Sequence, residues 1–165
     1  MRAKPPSSNP YTLCLKWLGA RELTEFQIRQ RLRSRQVLPE MIDATVDRLR
    51  RGGALDDRRT ALACARTHAL VKRHGRTRIM RELEAIGIDR DLARGAVQDV
   101  FEQVDERALM ERALAGRTGR RTRSLIDRSE YRRLFAYLVR QGFEPSAVHA
   151  LLRARSRGAA RQDDE

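Results

Sequence analysis

The sequence predicts an all-α protein made of three tandem three-helix repeats in an extended, solenoid-like arrangement. Three observations predict it. First, one apolar pattern recurs along the chain: Ile28, Leu32, Val37, Met41, Val46 and Leu49 are followed 51 residues later by Ile79, Leu83, Ile88, Leu92, Val97 and Val100. A further step of 55 residues leads to Leu134, Leu138, Phe143, Ala147 and Leu152, with Arg155 at the sixth place, where the third copy frays. A fixed period of this length marks stacked supersecondary units. Second, the turn carries glycine in two copies, Gly87 and Gly142, and the helix after it opens on proline in two, Pro39 and Pro145. Third, aromatics make up 5% of a chain that is 41% hydrophobic, so the core must be built from Leu, Ile, Val and Ala. With abundant Arg and Glu, those residues favour helices over strands.

The elements follow in order. Residues 1–10 are polar and proline-rich, unlike the apolar run of a signal peptide, and are expected to be a disordered tail. The first unit, residues 11–55, opens with a helix from Tyr11 to Ala20. Thr24 and Gln27 then have capping-box spacing, and Ile28 and Leu32, four apart, share one face of the next helix. Pro39 is suited to the first turn of the third helix. The second unit, residues 56–104, has a helix from Asp57 to Arg73, the Ile79–Leu83 stripe, Gly87 at the turn and Asp89 as N-cap. The third, residues 105–156, has a helix from Asp105 to Arg117 and an exposed loop from Gly116 to Ser124, rich in Gly, Arg and Thr. Asp127 with Glu130 again has capping-box spacing, Leu134 and Leu138 form the stripe, Gly142 sits at the turn, and Pro145 opens the last helix. At the turn of the first unit, Gln36 stands where the others have glycine. Residues 157–165 are expected to be a second disordered tail. Nine helices, no sheet and a monomer are the expectation.

Charge dominates the composition. A net charge of +13 predicts strong attraction to polyanions. Only Lys4, Lys16 and Lys72 among the 35 basic residues are lysines, leaving 32 arginines, which can fork onto phosphate and stack on bases. No stretch approaches the roughly 20 apolar residues that span a bilayer, and a cytoplasmic address is expected. Cys14 and Cys64 fit that compartment as small packing residues.

Catalytic signatures are missing. The short Gly runs lack the following Lys of a phosphate loop, there is no G-x-G-x-x-G, and no Ser sits in a nucleophile elbow. Asp56 and Asp57 could form an acid-base or metal dyad, but adjacent residues at a helix start point apart, and capping explains them. Cys64 and His68, four apart, could hold half a metal site; His74 and His149 stand alone, and no second pair completes it. The chain is therefore expected to use no cofactor and no metal and to be a binding protein rather than an enzyme.

The candidate binding residues are basic clusters. Lys72, Arg73, Arg76, Arg78 and Arg81 cross the turn joining the first two helices of the middle unit, and Arg76 and Arg81 flank the buried stripe. Arg117, Arg120, Arg121 and Arg123 occupy the predicted loop, with Arg128, Arg132 and Arg133 beyond it. The first unit carries Arg29, Arg31, Arg33 and Arg35, spread over more than half a helix circumference. Any single Arg can be a solvated or snorkelling residue; the clusters together suit phosphate or an acidic protein surface. A helix-turn-helix protein reading duplex DNA alone is the alternative, although no helix offers Asn, Gln and Arg together at base-reading positions.

These residues also carry a resemblance. Leu55-Asp56-Asp57-Arg58, Gly75-Arg76-Thr77-Arg78-Ile79, Glu82-Leu83 and Gly87-Ile88 are similar to the middle unit of the bacterial RecX family. Tyr131-Arg132-Arg133-Leu134, Tyr137-Leu138 and Arg140-Gln141-Gly142-Phe143 extend the likeness to the last unit, and Leu18, Arg21, Glu25, Ile28 and Leu32 to the first. It covers roughly residues 11 to 155. Thr60 departs from it, where the family usually carries an aromatic near the Asp pair. The resemblance implies a negative regulator that binds the RecA recombinase filament on single-stranded DNA. Members restrain RecA's ATP hydrolysis, strand exchange and co-protease activity and are not enzymes.

Overall fold

A computed structural model describes residues 9–118 and 127–162. Among the described residues there are nine helices and no strand. They are α1 (Pro10–Ala20), α2 (Glu25–Arg33), α3 (Pro39–Arg51), α4 (Asp57–Leu70), α5 (Arg76–Ala85), α6 (Arg90–Phe101), α7 (Glu106–Thr118), α8 (Arg128–Arg140) and α9 (Pro145–Gln162). Helices pack mainly within the triplets α1–α3, α4–α6 and α7–α9, as three-helix repeats require.

The helix ends follow from local chemistry. The Thr24 hydroxyl accepts from the Gln27 amide while the Gln27 side chain accepts from the Thr24 amide, so the box closes in both directions. Asp56, Asp89 and Asp127 each accept backbone N–H bonds in the first turn of α4, α6 and α8. Two boundaries differ from expectation. Helix α4 stops at Leu70 rather than Arg73, because Arg73 turns left-handed at φ +60° and the His74 amide bonds back to the His68 carbonyl at 3.0 Å. Helix α9 runs past Arg157 to Gln162, so a tail starting at 157 is not what the backbone shows. Residues 1–8, much of the expected loop (119–126) and 163–165 lie outside the described residues.

The repeat governs the core with one change of register. Ile28, Leu32, Val46 and Leu49 are buried, as are Ile79, Leu83, Val97 and Val100, and Leu134, Leu138 and Leu152. The fourth position is different: Met41 is 42% and Leu92 38% exposed, and the next residue is buried instead, as Ile42, Ala93 and Val148. Five residues of α-helix turn through roughly 500°, which takes 41 off the face of 46, whereas 42, 46 and 49 share it. The first unit keeps its own apolar core, centred on Cys14, Ile28, Leu32, Val46 and Leu49. The second and third share one, running from Ala61 and Leu83 through Phe101 to Leu138 and Leu152.

The units join by one repeated device. At the first joint the Thr24 hydroxyl donates to the Ile86 carbonyl at 2.6 Å. At the second the Gly75 amide donates to the Gln141 carbonyl at 2.8 Å. Thr24 and Gly75 are equivalent positions in the repeat, as are Ile86 and Gln141, so each unit sets the start of its second helix on the turn of the next. The turn glycines Gly87 (φ +85°) and Gly142 (φ +92°) are needed twice over. They take the left-handed conformation, and a Cβ on either would fall within 2.5 Å of Phe26 or of Arg78. Gln36 takes the same conformation, at φ +58°, but is exposed and meets no neighbouring unit among the described residues.

Candidate partner and nucleic-acid interface

The structure divides the middle basic cluster into joint residues and surface residues. Arg73 is half-buried, and its guanidinium donates to the Arg112 carbonyl at 3.1 Å, passing Gly116 so closely that a Cβ there would lie 2.5 Å from it. Arg76 pairs with Glu106 at 3.1 Å and lies 4.4 Å over the Phe101 ring. Arg78 forks, with Nε on Glu82 at 2.9 Å and a terminal nitrogen on the Gln141 side chain at 2.8 Å. All three brace the middle unit, and their partners Arg112, Glu106 and Gln141 belong to the third. Lys72 is exposed and bonds His68 Nε2 at 2.8 Å. Arg81 projects from α5 into solvent with no partner among the described residues.

In the third unit Arg117 lies 5.0 Å over the Tyr137 ring. Arg132 and Arg133 are exposed on α8 and unpaired among the described residues. Arg120, Arg121 and Arg123 lie outside the described residues. In the first unit Arg29 bridges Glu25 and Asp43. Arg31 and Arg35 sit 5.3 and 5.4 Å from Trp17, and Arg48 is 3.9 Å from Tyr11. Sequence reasoning missed these guanidinium–aromatic contacts; only the four-residue spacing of Arg31 and Arg35 hinted at a shared face.

The paired aspartates are structural. Asp56 accepts from the Arg58 and Arg59 amides at 2.9 and 3.0 Å, and Asp57 accepts from the Glu25 amide across the first joint at 2.9 Å. Burial pushes the Asp57 carboxyl up, partly offset by that bond. Thr60, the departure noted above, is buried and donates to Glu22 at 3.2 Å, a polar link in place of an aromatic contact.

One polar cluster contradicts the expectation that His74 stands alone. His68 Nδ1 and His74 Nδ1 lie 2.6 and 2.9 Å from the same oxygen of Glu82. The sequence hides it because His74 comes after the helix has ended, and Glu82 lies in the next one. Burial, then Lys72, holds the His68 imidazole below its ordinary pKa; burial also lowers His74, outweighing Glu82's pull. Burial raises Glu82, but the Arg78 and His74 bonds outweigh it and leave the carboxyl below its usual range. Burial raises both thiols, to about 11 for Cys14, so neither behaves as an activated nucleophile.

Among the described residues no helix is long and apolar enough to cross a membrane. Comparison with known proteins gives a consistent result. Residues 11–49 match the model of the RecX first three-helix domain, and residues 56–97 that of the second. The chain is 30% identical over 144 residues to the regulatory protein RecX of Thermobifida fusca, covering 86% of this chain and 75% of that one. It is 28% identical to the regulatory protein RecX of Pelodictyon phaeoclathratiforme, covering 86% of each. In fold it is similar to the crystal structure of RecX from Lactobacillus salivarius, with a TM-score of 0.72 at 19% identity over 88% of this chain and 94% of that one. Another crystal structure of a regulatory protein RecX gives 0.73 at 23% identity, covering 86% and 69%. With two of its three-helix units matched as domains and a relative 30% identical over most of both chains, the chain belongs to the RecX family of regulatory proteins.

Proposed function

We propose that this protein is a negative regulator of RecA, binding lengthwise along the RecA–single-stranded DNA filament and restraining its ATP hydrolysis, strand exchange and co-protease activity. The observation that carries this reading is the repeated joint. Thr24 on Ile86 and Gly75 on Gln141 tie successive units together at equivalent positions of the repeat, as a tandem array requires. Tandem units suit a partner made of repeated subunits, because each unit extends the contact without a new fold. The exposed cations Arg81, Arg117, Arg132 and Arg133, with Lys72 and with Arg120, Arg121 and Arg123, supply contacts to DNA phosphates or acidic groups of RecA. Arg73, Arg76 and Arg78 act by holding the second and third units in register. The protein works as a monomer without cofactor.

The test is charge reversal where the charge is free. Arg81→Glu, Arg132→Glu and Arg133→Glu together should weaken inhibition of RecA's DNA-dependent ATP hydrolysis and flatten its salt dependence, with helicity intact. Each lost phosphate contact should reduce the slope of log K against log salt by about 0.7 on single strands. A triple variant that inhibits like wild type at every salt concentration would remove these residues from the interface. A wild-type protein that leaves RecA's ATP hydrolysis untouched while binding duplex DNA tightly would make it a stand-alone DNA-binding protein.

A further inference from the structure

We propose that His68, His74 and Glu82 form a transition-metal site that takes Zn²⁺ through Nδ1 of each histidine and one carboxylate oxygen, clasping the end of α4 to α5. The three ligand atoms lie within 4.8 Å of one another. Zinc bonds of about 2.0–2.1 Å in tetrahedral geometry place ligand atoms about 3.4 Å apart. The present separations of 2.6 and 2.9 Å from Glu82 therefore need to open by less than an ångström. Glu82 has room to make that movement, being only partly buried.

The surroundings are built as a metal site needs. His68 stands on the last turn of α4, and the His74 amide bonds to the His68 carbonyl at 3.0 Å, so the backbone fixes one histidine against the other. Their rings meet edge to face at 5.8 Å. Arg78 holds the second Glu82 oxygen at 2.9 Å, the outer-shell bond that orients a ligating carboxylate. His68 Nδ1 supplies an independent pointer. This buried nitrogen lies 2.6 Å from Glu82 yet off the line a hydrogen bond requires, so it has a close neighbour and no hydrogen bond. Leaving a buried polar atom this way is unfavourable, and a bound cation would relieve it. Both imidazoles are held neutral by burial, the form that ligates.

The charges facing the site are Lys72 on His68 and Arg78 on Glu82. Lys72 is exposed and well hydrated in the open, so it can swing away and leave Nε2 to carry the ring proton. Two imidazoles and one carboxylate suit zinc, with the remaining coordination position left for water. The clasp would stiffen the turn that carries Gly75 into the joint with the third unit.

The probe is Zn²⁺ alone, titrated calorimetrically at neutral pH into the full chain carrying Cys64→Ser, which removes the nearest thiol. One Zn²⁺ per chain is expected, with a rise in thermal midpoint. His68→Gln and His74→Gln should each weaken binding by about ten-fold or more, whereas His149→Gln should not change it. Circular dichroism checks folding, and His68 is the less buried of the two, so its variant keeps the test informative if His74→Gln unfolds. The proposal is overturned by no measurable binding in either the wild-type or the Cys64→Ser protein, by loss of binding on Cys64→Ser alone, or by binding that survives folded His68→Gln.

Discussion

Gly75→Ala isolates the joint between the second and third units. Gly75 has φ −82° and ψ 170°, an extended conformation that alanine adopts without strain, so the substitution tests contact alone. A Cβ there would lie 2.4 Å from the Gly142 carbonyl carbon and oxygen and 2.6 Å from the Phe143 nitrogen. Every one of those atoms is backbone, so no flexible side chain can yield. Overpacking of this kind costs about 1–3 kcal/mol. Separating the segments also weakens the Gly75 amide bond to Gln141, at 2.8 Å, and the Thr77 amide bond to Gly142, at 3.2 Å. Each is worth about 1 kcal/mol. Restricting the unfolded chain returns about 0.4–1 kcal/mol. The net expectation is a loss of about 2–4 kcal/mol, and at roughly 2–4 °C per kcal/mol a thermal midpoint lower by about 5–15 °C. Gly95→Ala is the control: nothing lies within 4 Å of a Cβ at this helical position, and the change should stabilise by about 1 kcal/mol. Thermal melts of both variants followed by circular dichroism decide the matter. A Gly75→Ala protein as stable as wild type, or more stable, would show that the two backbones do not meet as described.

Two further outcomes follow from the core and from the histidines. Leu83 is fully buried in α5, so Leu83→Asp should cost several kcal/mol and unfold the middle unit; an unchanged urea midpoint would refute its place in the core. His68 and His74 have folded-state pKa values below their unfolded ones, so the unfolded chain takes up protons first on acidification. Stability should be level above about pH 6.5 and fall below it, with Glu82 adding to the loss at lower pH, and His74→Gln should flatten the upper part of that fall. A urea midpoint constant from neutral pH to about pH 5 would refute this.

The repeat was legible because buried stripes at i, i+4 and i+7 depend on period alone. The fourth position misled because Met41, Leu92 and Ala147 are apolar and aligned, yet helical angle puts Ile42, Ala93 and Val148 inside. The joints were not legible. They use backbone groups of Ile86 and Gln141, which carry no residue signature, although glycine at 87 and 142 but not at 36 marks the turns that a neighbouring unit covers. The arginines were legible as clusters but not in their roles. Arg78 and Glu82 pair at the four-residue spacing of one helix face, which the sequence reading did not single out, whereas Arg76 and Glu106 meet only through the packing of α5 against the third unit.

Those roles also bear on why the chain uses arginine so heavily. Arg76 pairs with a carboxylate while its plane covers Phe101, and Arg78 divides its fork between Glu82 and Gln141. A lysine ammonium can hold one such partner but cannot stack or fork in a plane, so Lys at either position would give up half of the joint. The same cations therefore cannot be counted towards a polyanion without undoing the register of the units that present them. Arg81, Arg132 and Arg133, exposed and without a partner among the described residues, brace neither joint. The first unit, with a core of its own, is held to the second by polar contacts at Thr24, Glu25 and Thr60 and by Phe26 against Gly87, whereas the second and third also share apolar packing. Because apolar burial resists separation more than a few partly buried hydrogen bonds do, the first joint is where the molecule yields at least cost.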